Sequence, residues 1–155
     1  MNILFMLVLS GSLFLNNNSS IEIPQDWQDK ALEAEWNYYY SFPVESDPWL
    51  LAHIITGEGQ NTSNIEQQYI ASVVLNRVKS DLFPNSIKEV IFQPGQYACT
   101  WDGNFYRQCT LENWRNAMYI YRNGSILPDE VVWQSNCPQG NGVYEVTPYH
   151  VYSYS

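Results

Sequence analysis

Charge is scarce in this chain, and positive charge scarcest. Only 7 of its 155 residues are Lys or Arg, against 16 Asp and Glu, for a net charge of -9. No basic residue precedes Lys30. A binder of phosphates needs a basic stripe, so nucleic acids and anionic lipid surfaces are poor partners. Charged residues make up 15% of the chain, where roughly 25% is usual. There is no internal repeat, phosphate loop, dinucleotide fingerprint or paired Cys-x-x-Cys. The apolar run from Ile3 to Leu15 is too short for a bilayer span of about 20 residues. With only 3 cysteines, one is left over from any internal pairing. Cys99 and Cys109 bracket a polar, aromatic stretch that a disulfide would close in an exported protein, with buried thiols as the alternative.

What fills the space is rings. Aromatics take 15% of the sequence, as 6 Trp, 12 Tyr and 6 Phe, within a hydrophobic total of 45%. That is enough for a core and argues against disorder. A surface rich in Tyr, Trp, Asn and Gln suits neutral polymers such as glycans. The length is that of one domain. Residues 1–20 read as an apolar leader, a signal or anchor. Residues 21–46 read as a linker with a helix over 25–40, its apolar stripe being Trp27, Leu32, Trp36 and Tyr40. The main domain is expected over 47–155.

That domain begins with Asp47-Pro48, an N-cap followed by Pro at the first helical position. Leu50, Leu51, Ile54 and Ile55 then recur at helical spacing up to Gly57-Glu58-Gly59. Ser63-Asn64-Ile65-Glu66 has capping-box form and opens a second helix to Lys79, with Ile65, Tyr69, Ile70, Val73, Val74 and Val78 as its stripe. Ser86 starts a short helix through Ile91. Thr110 caps a fourth, with Leu111, Trp114, Met118 and Tyr121 inward and Gly124 at its end. Short extended runs follow at 131–133 and 149–154. The class is mainly α (α+β), helices first and strands last.

Glu58 is the residue best placed for chemistry. Partial burial and the negative end of a helix dipole both favour the protonated form of a carboxyl group, which a general acid for glycosidic cleavage requires. The flanking glycines let a polymer backbone approach. Asn76-Arg77 is expected to pair with a loop carboxylate. Two other chemistries are weaker. A zinc site would have to assemble from His53, Glu58 and His150, whose spacing does not follow the usual helical pairs. A Cys99–His150 nucleophile lacks the helix N-terminus that activates such a thiol.

LLAHIITGEGQ, followed by VVLNRVKSDLFPNSIKEVIFQPGQYACTWDG and the closing TPYHVYSYS, resembles the catalytic domain of the SleB-type cell-wall hydrolases. The resemblance runs roughly from Pro48 to Ser155. It implies a lysozyme-like, lytic-transglycosylase-like helical domain that needs no cofactor or metal. The implied activity is cleavage of the bond between N-acetylmuramic acid and N-acetylglucosamine in peptidoglycan strands. It places the catalytic acid on Glu58 and groove-lining positions on Gln96, Tyr97 and Asp102; beside these, Trp101 is expected to stack on a sugar face and His150 to be a cleft-edge or packed residue. Gly59 and Glu66 depart from the family pattern, which has Ala and Gly there. With one well-placed carboxylate, Glu58 is expected to protonate the leaving oxygen and then deprotonate the muramic acid C6 hydroxyl. Asp102 is the reserve second carboxylate. Action outside the cytoplasm is implied, by an exported protein or a phage product on its host's wall. The alternatives are a peptidoglycan amidase or peptidase, and a non-catalytic glycan-binding or virion module.

Overall fold

The structure, a computed structural model, describes residues 12–14 and 20–155, so most of the expected leader lies outside the described residues. The chain divides into two units, Met1–Phe42 and Pro43–Ser155, a boundary a few residues ahead of the expected Asp47.

In the first unit, β1 (Ser12–Phe14) and β2 (Ser20–Glu22) pair antiparallel, with Leu13 opposite Ile21. Helix α1 spans Gln25–Tyr40, as its periodicity predicts. Its buried face is not the expected one. Trp27, Leu32 and Tyr40 are exposed, while Ala31, Glu35 and Tyr39 are buried. The Tyr39 hydroxyl donates to the Glu35 carboxylate at 2.9 Å, which makes a buried acid tolerable. Trp36 stacks on Tyr40, one helical turn later.

The second unit is built around three helices. Helix α2 (Asp47–Gly59) starts one residue earlier than expected: Ser46 occupies the N-cap, and Asp47 sits in the first turn beside the positive end of the dipole. Leu50, Leu51, Ile54 and Ile55 are all buried. Helix α3 (Asn64–Lys79) is capped by Ser63, whose side chain accepts from the Glu66 N–H. The reciprocal half of the capping box is absent, because the Glu66 side chain turns to other partners. Ile65 is exposed, and polar residues are buried beside the apolar stripe, among them Gln67, Asn76 and Arg77. Helix α4 (Ile87–Ile91) follows Ser86 as expected.

Two short elements fill a stretch expected to be loop: α5 (Cys99–Asp102) and a 3-10 turn at Asn104–Tyr106. They are joined by Gly103 at φ 88°, a left-handed step that favours glycine. Helix α6 (Leu111–Asn123) has a complete capping box between Thr110 and Asn113. Trp114 and Met118 face inward as expected, with Ala117 and Ile120, whereas Tyr121 is exposed.

The C-terminal sheet has the order β3-β5-β4, all antiparallel, from β3 (Val131–Ser135), β4 (Val143–Val146) and β5 (Val151–Tyr154). β4 is the strand that the pattern did not predict; all four of its residues are exposed, so it lacks an alternating signal. A register shift after Val131 lets both Val131 and Val132 point into the protein. Tyr152 joins Val73, Leu127 and Val131 in a core between α3 and the sheet.

Candidate active site

A cleft of about 320 Å³ opens between the C-terminal end of α2, the loop at 95–98 and the start of the sheet. Glu58 lines it from α2, Gln96 and Tyr97 from the loop, and Trp133, Gln134 and His150 from the sheet side. Four of the six residues expected at the site are therefore brought together. Trp101 and Asp102 do not line the cleft. Trp101 is 64% exposed. The Asp102 carboxylate accepts from both the backbone and the side-chain amide of Asn104, each at 2.8 Å, so it shapes the turn into the 3-10 segment.

The end of α2 is held by a network of buried amides. Gln67 donates to the carbonyls of Gln60 and Thr62. Its own carbonyl accepts from Asn113 and Asn116, both at 3.0 Å. Asn113 also donates to the Gln60 carbonyl and accepts from the Thr56 hydroxyl. Arg107 donates to the Thr56 carbonyl at 2.8 Å. The carbonyls of Thr56 and Gln60 at this helix end are thus satisfied by side chains from α3, α6 and the loop before α6. Glu58, half-buried, projects from this braced turn.

Cys99 packs on the other side of the same turn. A Cβ placed on Gly57 would stand 2.7 Å from both Cβ and Sγ of Cys99, so only glycine admits the contact. Burial, and then the neighbouring Glu58 carboxylate, to which it hydrogen-bonds, push the Cys99 thiol far up. Burial lifts Cys109 to about 11. Cys99, Cys109 and Cys137 are all free thiols, the first two buried and the third exposed. The Cys99–Cys109 bridge is therefore not formed, and neither buried sulfur is poised as a nucleophile.

On the floor of the cleft lies Arg77, 2% exposed. Its Nε donates to the Val132 carbonyl at 2.8 Å, and Asn76 donates to the carbonyls of Pro128 and Val131. The expected pairing with a loop carboxylate gives way to these backbone bonds, because the strand entering the sheet brings its carbonyls to α3. Phe83, Tyr97 and Trp133 surround the guanidinium at 4.9, 5.0 and 5.8 Å. Tyr97 is buried, and burial raises its phenol.

The residue that sequence reasoning passed over is Glu66. It is 1% exposed, and its Oε1 accepts from His150 Nδ1 at 2.6 Å and from the Tyr152 hydroxyl at 2.7 Å. Burial works against its charge, yet these hydrogen bonds hold its carboxyl below the usual range. A partner 84 residues away leaves no local signal in the sequence. His53 takes no part: its Nδ1 bonds the Phe105 carbonyl at 2.7 Å and its ring stacks on Trp49. Among the described residues, no cluster of three or more His, Cys, Asp or Glu is placed to hold a metal ion. No helix among them is long and apolar enough to cross a membrane.

Comparison with known proteins finds relatives in one family. The family pattern described as Cell Wall Hydrolase matches residues 61–133. The spore cortex-lytic enzyme of Bacillus subtilis (strain 168) is 37% identical over 91 residues, covering 59% of this chain and 30% of that protein. The spore cortex-lytic enzyme of Bacillus cereus is 32% identical over 104 residues, covering 67% of this chain and 36% of its own length. The chain thus spans about a third of the length of these relatives. Among solved structures, the catalytic domain of the germination-specific lytic transglycosylase SleB from Bacillus anthracis superposes with a TM-score of 0.60 at 20% identity, over 72% of this chain and 96% of that one. The Bacillus cereus SleB catalytic domain gives 0.59 at 22%, over 68% and 88%. The mainly helical, lysozyme-like fold expected from sequence is the fold observed.

Proposed function

We propose that the chain is a SleB-type cell wall hydrolase and that it cleaves peptidoglycan strands between N-acetylmuramic acid and N-acetylglucosamine, with Glu58 as the acid. The observation that carries this reading is the position of Glu58: half-buried, at the braced end of α2, on the wall of a cleft that Gln96, Tyr97 and His150 also line. A fully solvated Glu58 with no groove beside it would have favoured a non-catalytic glycan binder.

Glu58 gives its proton to the oxygen leaving the muramic acid anomeric carbon. The C6 hydroxyl of the same sugar then closes on that carbon and forms a 1,6-anhydro end without water. This is lytic transglycosylation, for which one carboxylate suffices in the simplest form, the spent Glu58 taking the hydroxyl's proton. Gln96 contacts the glycan from the loop, with buried Tyr97 backing it against Arg77. Trp101, exposed on α5, offers a ring to a sugar further along the strand, and Asp102 fixes the turn beneath it. The substrate lies outside the cytoplasm, and the protein acts there.

The test is digestion of purified peptidoglycan followed by mass spectrometry of the released fragments. Anhydro ends, lighter than reducing ends by one water, are the expected product. Glu58→Gln should lower release by at least about 1,000-fold, within the range for loss of a general acid, while the melting temperature is retained. Retained release by that variant would sink the assignment. Reducing ends would convert the reaction to hydrolysis, and binding without cleavage by the unaltered protein would favour a glycan-binding module.

A further inference from the structure

The cleft holds a second proton-handling group that the one-carboxylate reading leaves idle. His150 has 12% of its side chain exposed, whereas the Glu66 carboxylate behind it has 1%. With Nδ1 donating to Glu66 Oε1, the imidazole is fixed in the tautomer that carries its proton on Nδ1. Nε2 of the neutral ring is then an acceptor. Among the described residues its hydrogen-bonding neighbour is the Gln134 side-chain amide at 3.4 Å, a long contact that a substrate hydroxyl can displace. The Tyr152 hydroxyl shares Oε1, and the Thr147 side chain adds a further hydrogen bond to the Glu66 carboxylate. A buried carboxylate turned toward an imidazole, whose far nitrogen faces a cleft containing a carboxylic acid, is how a general base is oriented elsewhere.

We propose that His150 is the base of the reaction and that Glu66 is its positioning residue, so that acid and base reside on opposite walls of the cleft. This deepens the function proposed above and rests on it. As the muramic acid O6–C1 bond forms, the C6 hydroxyl proton passes to His150 Nε2. The C1–O4 bond breaks, and the departing O4 takes the proton of Glu58. The products are the anhydro sugar, a free 4-hydroxyl, an imidazolium and a carboxylate. One proton moving from His150 to Glu58 through water restores the starting state. Nothing is oxidised or reduced.

The experiment is steady-state kinetics of His150→Ala and Glu66→Gln on soluble glycan strands, with and without added imidazole. His150→Ala should lose about 100-fold in kcat, the scale of a missing general base, with KM changed by less than about twofold. Free imidazole should recover part of that kcat, which a merely structural histidine would not allow. Glu66→Gln keeps an oxygen for Nδ1–H without the charge and should show a smaller loss, again in kcat. Near-UV circular dichroism establishes that each variant is folded. An unchanged kcat, a loss confined to KM, or a loss in folded protein that imidazole does not relieve would overturn the proposal. Any of these leaves Glu58 in place, whereas an active Glu58→Gln removes the acid whatever His150 does.

Discussion

The two walls of the cleft are held by different means. On the helical wall, Glu58 stands at the end of α2, where the turn is held mainly by neutral amides and hydroxyls from Gln67, Asn113 and Thr56, with the permanently charged Arg107 on the Thr56 carbonyl. On the sheet wall, charge does the holding: the Arg77 guanidinium grips the Val132 carbonyl, and the Glu66 carboxylate grips His150 and Tyr152. A neutral network is indifferent to acid, while a charged one is strong only as long as its groups keep their protonation state. The difference predicts that the walls answer separately to mutation and to pH.

The largest effect is expected from removing the centre of the amide network. Gln67→Leu leaves the side-chain amides of Asn113 and Asn116, and the carbonyl of Thr62, buried with fewer partners, at a cost of about 3 kcal/mol in unfolding free energy. Urea denaturation measures it, and a loss below about 1 kcal/mol would show that the helical wall does not depend on that residue. Gly57→Ala comes next. Its methyl would meet Cys99 at 2.7 Å, and overpacking of this kind costs about 1–3 kcal/mol. The strain falls on the turn that carries Glu58, so release of fragments should fall more than stability does; the pairing of a melt with the peptidoglycan digest checks this.

The smallest effect is in the pH dependence of stability. Burial lowers the His53 pKa from 6.5, an effect only partly offset by its bond to the Phe105 carbonyl. The unfolded chain therefore binds that proton first, and stability falls as pH drops from about 6.5 toward the folded value. Glu66 is also lowered, from 4.5, so its contribution is present above that pH and is lost only as pH falls through its folded value. Melting temperature should decline in two stages on acidification, and His53→Gln should abolish the upper stage alone. A single decline starting near 4.5 in the unaltered protein would contradict the first stage.

The same division decides what was legible in the sequence. The helical wall is written locally. Leu50, Leu51, Ile54 and Ile55 mark the buried face of α2, the glycines mark its end, and Thr110 and Asn113 announce the cap of α6. Glu58 could be singled out because the glycines mark where its helix stops and the surrounding motif resembles a known family. The sheet wall depends on contacts between distant residues. Glu66 occupies the third helical position, where a carboxylate ordinarily returns to its own cap, and Arg77 sits in the last turn of α3, where a cation ordinarily faces the dipole. Nothing within a turn of either reveals a strand arriving from more than fifty residues away. The misplaced stripe of α1 has a related cause: Glu35 is buried through a bond to Tyr39, and apolar periodicity counts it as surface.

That long-range closure also sets an order of events. The bond from His150 to Glu66 joins residues 84 positions apart, and β5 then takes the central place between β3 and β4. Contacts of such separation form late, after the helices have found one another. A chain leaving the ribosome carries Glu58 long before it carries β5, so the finished cleft cannot exist on the nascent chain until β5 has been made and seated. Assembly thus acts as a delay, and a glycan-cutting activity would switch on only in a completed, folded molecule.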